Sequence, residues 1–232
     1  VDFLMWVVTG ISTGLTQGFS IQLSQYYGAK DFENLRKSLA HSYRLTAFIA
    51  AGVLILSQSF ASLVLTGLHT PSNIIGMSLL YLRIIFCGIP ATAAYNMFAS
   101  ALRAMGNSKT PLTAMIIASV LNVSLDILFV AGFGWGVAGA AIATVIAQSF
   151  SAVYCFLILR RIDIVHLTRA DFMPASGMNA RLMKLGIPVV FQNIIIGVGG
   201  LVVQYVINGY GFLFVAGFTA TNKLYGLLEM AA

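Results

Sequence analysis

Charge is what this 232-residue sequence has least of: Asp, Glu, Lys and Arg together make up 9% of it and hydrophobic residues 59%, against about 25% and 45–50% in soluble domains. That balance excludes an ordinary soluble fold and places the chain in lipid. Cysteine is nearly absent too. Cys87 and Cys155 sit inside apolar runs with no His or second Cys at ligand spacing, so neither a disulfide framework nor a zinc site is expected. No glycine-rich phosphate loop, catalytic triad or pair of carboxylates is present, which speaks against an enzyme. No basic segment followed by a short apolar core opens the chain, and it does not begin with Met, so a fragment of a longer protein is expected. The formal net charge of +6 would suggest nucleic acid as a partner of a soluble protein, but here the positive charges are sorted by loop, and nucleic acid is set aside.

What the sequence does have is apolar runs of about 20 residues, the length that crosses a bilayer as a helix. Seven are expected, at 3–27, 43–67, 74–102, 110–132, 137–159, 184–208 and 211–230. The fold class is therefore all-α, a polytopic membrane protein of about seven transmembrane helices. The first run is the most polar, with Ser12, Thr13, Thr16, Gln17, Ser20, Gln22 and Gln25, but it holds no charge between Phe3 and Gly28. Those side chains call for a buried or water-facing surface. Pro90 and Pro188 remove a backbone donor within spans three and six and permit bends there.

Basic residues occupy alternate loops. Lys30, Arg36, Lys37 and Arg44 follow span one, Arg103 and Lys109 follow span three, and Arg160, Arg161, Arg169, Arg181 and Lys184 follow span five. The loops between, GLHTPSN, GFGWGV and NGYGF, hold none. Positive loops stay inside, so the N-terminus is expected outside and the C-terminus in the cytoplasm of a cell (inner) membrane. The polar stretch from Arg160 to Arg181 is long enough to link two bundles. The organisation is then 1–159, 160–183 as a linker, and 184–232. His166 in that linker, and His41 and His69 near the interfaces, read as histidines in contact with solvent or headgroups. Gly132, Gly134, Gly136 and Gly139, running into Ala140, Ala141 and Ala143, allow close helix contact.

Asp126 lies inside the apolar run SVLNVSLDILFV, where a carboxylate costs about 2.5–3.5 kcal/mol to insert. Asn122 is four residues earlier, on the same helix face, with Ser119 continuing it. Thr144 lies as far after Trp135 as Asp126 lies before it, which puts the two at about the same depth on neighbouring helices, with Ala140 one turn from Thr144. Hard oxygens of this kind suit Na⁺, or a proton on the carboxylate; the alternative is an Asp satisfied by interhelical hydrogen bonds. Arg83 and Lys223 are the basic residues inside spans. Arg83 can snorkel to the outer interface, whereas Lys223 lies nearer mid-span. Gln192 and Asn193 in span six are polar candidates for the substrate pathway or for interhelical hydrogen bonds. Tyr95, with Met97, Phe98, Met105 and Met115, belongs either to a plastic binding wall or to ordinary packing.

QYYGAKDFENLRKS after span one, ALRAMGNSKTPL between spans three and four, and NVSLDILFVAGFGWGVAGAAIAT across spans four and five resemble the multidrug and toxic compound extrusion (MATE) transporters. LGIPVVFQNIIIGVGGLVVQYVINGYG is similar to the start of that family's second repeat. The resemblance implies a twelve-helix, two-lobe fold of which this chain is helix two to helix eight. Residues 1–159 then belong to the N-lobe and 184–232 to the start of the C-lobe. It assigns Asn122, Asp126, Ala140 and Thr144 to the family's N-lobe cation site and implies a partner carboxylate on a first helix outside this sequence. PVVFQNIIIG lacks the acidic residue some members carry in helix seven, and with Lys223 in helix eight this looks more like the DinF-type branch.

The function so implied is a secondary antiporter that exports amphipathic or cationic small molecules in exchange for Na⁺ or H⁺, without a cofactor. Its partners are the lipid bilayer and a small-molecule substrate, and the full-length transporter acts as a monomer. A lipid-linked oligosaccharide flippase of the same superfamily is the alternative, although it calls for more buried cations than Arg83 and Lys223 supply. A seven-helix receptor or photoreceptor, with retinal on Lys223, shares the span count.

Overall fold

The computed structural model describes residues 2–67, 72–173, 177–208, 217–218 and 221. Seven α-helices carry it: α1 (Asp2–Gly28), α2 (Phe32–Gly67), α3 (Ser72–Cys87), α4 (Ile89–Ala104), α5 (Lys109–Asp126), α6 (Gly136–Arg160) and α7 (Met178–Asn208). Spans two, four, five and six each correspond to a helix long and apolar enough to cross a membrane. Most of the expected run 211–230, with Lys223, and also His69 lie outside the described residues.

Span three is not one straight helix. It is the pair α3 and α4, bent by 41° at Gly88. Pro90 sits in the first turn of α4 and has no N–H to continue the hydrogen-bond ladder of α3. Pro188, by contrast, lies inside α7, which runs through it. That helix begins at Met178 rather than 184, so the linker is shorter than expected. It contains two 3₁₀ turns, Asp163–Val165 and Arg169–Phe172. Span four also departs from a plain α-helix: after Asp126 the chain widens into a π-helical turn, Ile127–Gly132, with the Phe133 N–H reaching back five residues to the Leu128 carbonyl at 2.9 Å.

The turns of two recognised motifs use one device. At the end of α1, Lys30 takes a left-handed φ of 57°, and the N–H groups of Lys30 and Asp31 close onto the carbonyls of Tyr27 and Tyr26. Asp31 then caps α2, accepting from the Asn34 N–H at 3.1 Å and its Nδ2 at 2.7 Å. The Asn34 side chain, followed by its backbone N–H, holds the Asp31 carboxyl below its usual pKa. At the end of α4, Gly106 and Asn107 close onto Arg103 and Leu102, and Asn107 Oδ1 accepts from the Thr110 N–H at 3.1 Å at the start of α5.

α1 is 27 residues long but too polar to join the apolar spans. Its place explains its composition. It packs on α7, α4 and α2, with Ser12, Thr16 and Gln22 buried beside Leu15, Phe19 and Leu23. One core cluster joins these leucines and Phe19 to Leu35, Leu39, Met97, Leu102, Cys155, Leu159 and Leu182, at the end that carries the basic loops. A smaller one, with Ala61, Leu65, Leu82, Phe86 and Ile89, lies towards the other end. The outward face is apolar, with Phe48 71% and Ile195 69% exposed, as a surface solvated by acyl chains should be.

Candidate functional site

The α5–α6 pair brings three of the expected cation-site residues together. Asn122 Nδ2 donates to Thr144 Oγ1 at 3.4 Å, and Thr144 Oγ1 donates to the Ala140 carbonyl at 3.0 Å. This one-way relay occupies the Ala140 carbonyl that the sequence suggested as accessible, and it leaves the Asn122 carbonyl oxygen free of the relay. Ser119 does not join it: its side chain is exposed and bonds back to the Met115 carbonyl at 2.9 Å.

Asp126 makes no hydrogen bond to this relay. It is the last residue of α5, at the junction with the π turn, and its Oδ1 is buried with no hydrogen-bond partner. An orphaned carboxylate oxygen in an apolar setting is costly. It fits a proton or a hard monovalent cation, whereas no three His, Cys, Asp or Glu side chains gather into a metal-binding group among the described residues. Below the site, Phe129, Phe133 and Trp135 pack ring on ring, with centroids 5.1–6.0 Å apart. Phe129 also limits Gly139, where an added Cβ would lie 2.9 Å from its own Cβ. The small residue at 139 thus permits α6 to close on the π turn.

The remaining candidates are scattered. Arg83 is exposed on α3, and its carbonyl accepts from Gln58 Nε2 at 2.9 Å. Tyr95 is half-buried between α4 and α5, its hydroxyl 3.5 Å from the Pro111 carbonyl. Gln192 is exposed. Asn193 faces α1, donating to the Gly10 carbonyl at 3.3 Å. It lines a polar cavity of about 310 Å³ together with Thr9, Gly10, Thr13 and Gln17, and Asn96 of α4 reaches Thr13 Oγ1 at 3.2 Å.

Two further arrangements were not foreseen. The first is the antiparallel crossing of α1 and α7. A Cβ on Gly18 would collide with the Gly186 backbone, one on Gly14 would come within 2.9 Å of Val190 Cα, and one on Gly186 within 2.9 Å of Leu15. The signal was present: Gly10, Gly14 and Gly18 recur every fourth residue along one face. The second concerns His41, which is buried at 2% exposure rather than facing solvent or headgroups. Its Nε2 lies 3.1 Å from the Met173 carbonyl and its Nδ1 2.7 Å from Asn179 Oδ1. A carbonyl only accepts, so the bond to Met173 is donated by Nε2–H. Alongside, Arg44 donates to the Phe172 carbonyl at 3.0 Å, and Arg36 lies 3.9 Å from Asp171. Asp171 is itself buried and bonded to Thr168. Together they tie the linker to α2. No sequence pattern announces this, because the partners lie more than 120 residues apart.

The MatE family model matches residues 1–128. The probable multidrug resistance protein YpnP of Bacillus subtilis is 31% identical over 99% of this chain and 51% of its own length. The multidrug export protein MepA of Staphylococcus saprophyticus is 24% identical over 97% and 50%. A crystal structure of MATE in a bent conformation superposes with a TM-score of 0.88 at 22% identity, over 97% of this chain and 51% of that one. The chain therefore spans about half the length of the relatives it matches.

Proposed function

The chain belongs to the MatE family, the multidrug and toxic compound extrusion transporters, and from that premise we propose that it supplies the cation-coupling half of a secondary antiporter. In this reading a lobe of residues 1–159 and a second lobe beginning near 184 rock against each other and export amphipathic or cationic small molecules in exchange for Na⁺ or H⁺. The basic loops face the cytoplasm. Relatives named for multidrug resistance and export support the substrate class.

One observation carries the coupling role: the buried, partnerless Oδ1 of Asp126, next to the Asn122–Thr144–Ala140 relay and at the start of the π turn. Occupied by a cation or a proton, the carboxylate is neutralised; empty, it is a charge in lipid. A ligand moves a conformational equilibrium only through such a difference in affinity between states. The α1–α7 crossing joins the two proposed lobes, and the polar cavity at Asn193 lies along it.

The test uses a transporter built from this half together with the other half that the relatives carry. Asp126→Asn, expressed and inserted normally, should lose cation-driven efflux of a cationic dye, and Asp126→Glu should keep part of it. Wild-type efflux from Asp126→Asn would reassign Asp126 to a structural role.

A further inference from the structure

Two neighbouring cavities on the side of the bundle share a wall. An apolar trough of about 370 Å³ runs between α2 and α4, bounded by Ala47, Ala51 and Leu54 on one helix and Ala94 on the other. A second cavity, of about 260 Å³, lies under the linker at the basic end of α6, lined by Arg160 and His166. Tyr43 and Phe156 line both. With Phe98 they make an aromatic neck, its ring centroids 5.4 and 5.2 Å apart.

We propose that this composite groove binds a single phospholipid with an anionic headgroup, the phosphate at Arg160 and His166 and one acyl chain in the trough. Length supports this. From Tyr43 to Leu54 the trough covers about 16 Å at 1.5 Å per residue, close to half of a hydrocarbon core about 30 Å thick. Polarity changes along the groove as well. The trough is lined by alanine, leucine and aromatic side chains, and the cavity beyond the neck by Arg160 and His166. The aromatic neck sits where ring side chains favour the boundary between chain and headgroup.

Charge selects the headgroup. Arg160, which lines the cavity, and the adjacent Arg161 are exposed, and the acid beside His166 is Asp163, whose Oδ1 lies 3.8 Å from its Nε2. The balance is positive even with His166 neutral. The basic end of the bundle, read as cytoplasmic, would meet the leaflet in which anionic lipids concentrate, although the groove's chemistry does not depend on that orientation. Nor does it depend on ion coupling, because no residue of the cation site lines it.

The test is native mass spectrometry of the purified chain with equal amounts of phosphatidylglycerol and phosphatidylcholine of the same acyl length. One phosphatidylglycerol per chain should survive activation that strips phosphatidylcholine. Arg160→Gln combined with His166→Gln should lower that retention at least about fivefold, from roughly 1 kcal/mol for the Arg160 cation. Lys109→Gln, in another basic loop, should leave it unchanged. Ala51→Phe, which fills the trough, should lower retention of both lipids, and far-ultraviolet dichroism checks that each variant stays helical. Equal retention of the two lipids by the parent chain, or a phosphatidylglycerol preference that survives the double substitution, would overturn the proposal. Because the readout involves no transport, the antiporter reading and this one can fail separately.

Discussion

The α1–α7 crossing and the α5–α6 pair belong to one bundle but are held together in opposite ways. At the crossing, backbones approach so closely that Gly14, Gly18 and Gly186 leave no room for a Cβ, and Asn193 reaches across to the Gly10 carbonyl. Between α5 and α6 the side-chain hydrogen bonds are long, 3.4 Å from Asn122 to Thr144 and 3.5 Å from Ser151 to the Ala114 carbonyl, and the carboxylate next to the first keeps an oxygen unpartnered. Close backbone contact tolerates few alternatives, because packed interiors do not deform continuously. The first pair is thus held by the fit of its backbones and the second by few and long polar contacts, beside the unpartnered oxygen on which the proposed cation site rests.

Substitution at the crossing should have the largest effect on folding. Gly18→Ala places a methyl group against the Gly186 backbone, which has no flexible end to yield. The cost should reach the upper part of the range for overpacking, about 3 kcal/mol, read as a lowered thermal midpoint in detergent. Gly28→Ala, with no described atom within 4 Å of the new Cβ, is the control. Equal midpoints for the two variants would break the comparison.

Next in size is the tie that carries the linker. His41→Leu leaves the Met173 carbonyl and the Asn179 amide without their partner, a loss of about 1–3 kcal/mol. Trypsin should then cut faster at Arg169, because the segment that Arg44 and His41 hold to α2 opens more often. Cleavage at the parent rate would mean that Arg36 and Arg44 suffice to hold it.

The smallest effect is expected at the α5–α6 seam. Thr144→Ala removes a long hydrogen bond from a half-buried pair and should cost no more than about 1 kcal/mol, with the thermal midpoint again the measure. A destabilisation as large as that of Gly18→Ala would show that the seam is a structural joint like the crossing.

The legible parts of this molecule were those in which the signal is local. Pro90 marked the bend that separates α3 from α4. Helical spacing put Asn122 and Asp126 on one face and Thr144 at the depth of Asp126, whereas the structure pairs Thr144 with Asn122, one turn away. The same reasoning missed the π turn after Asp126, because an extra residue in a helical turn leaves the apolar run unchanged. It also placed Ser119 with the cluster, where the structure turns that hydroxyl back onto its own helix. The polar character of α1 was noticed but not its packing on α7, α4 and α2, since hydropathy registers how polar a helix is and not which neighbours cover it.

The sequence by itself determined that this is a multi-pass, all-helical membrane protein with its basic loops on one side. Hydropathy and loop charge add residue by residue, and a bilayer permits few other arrangements of an apolar chain. Only the tertiary structure decided that Gly18 meets Gly186 and that His41 is buried under a linker more than 120 residues away. It alone showed that Asp126 keeps an oxygen without a partner, and that an aromatic neck joins two cavities. Each of these depends on which helices become neighbours and at what register, and in lipid that is settled by close packing and polar satisfaction across the bundle rather than by the hydrophobicity of any one segment.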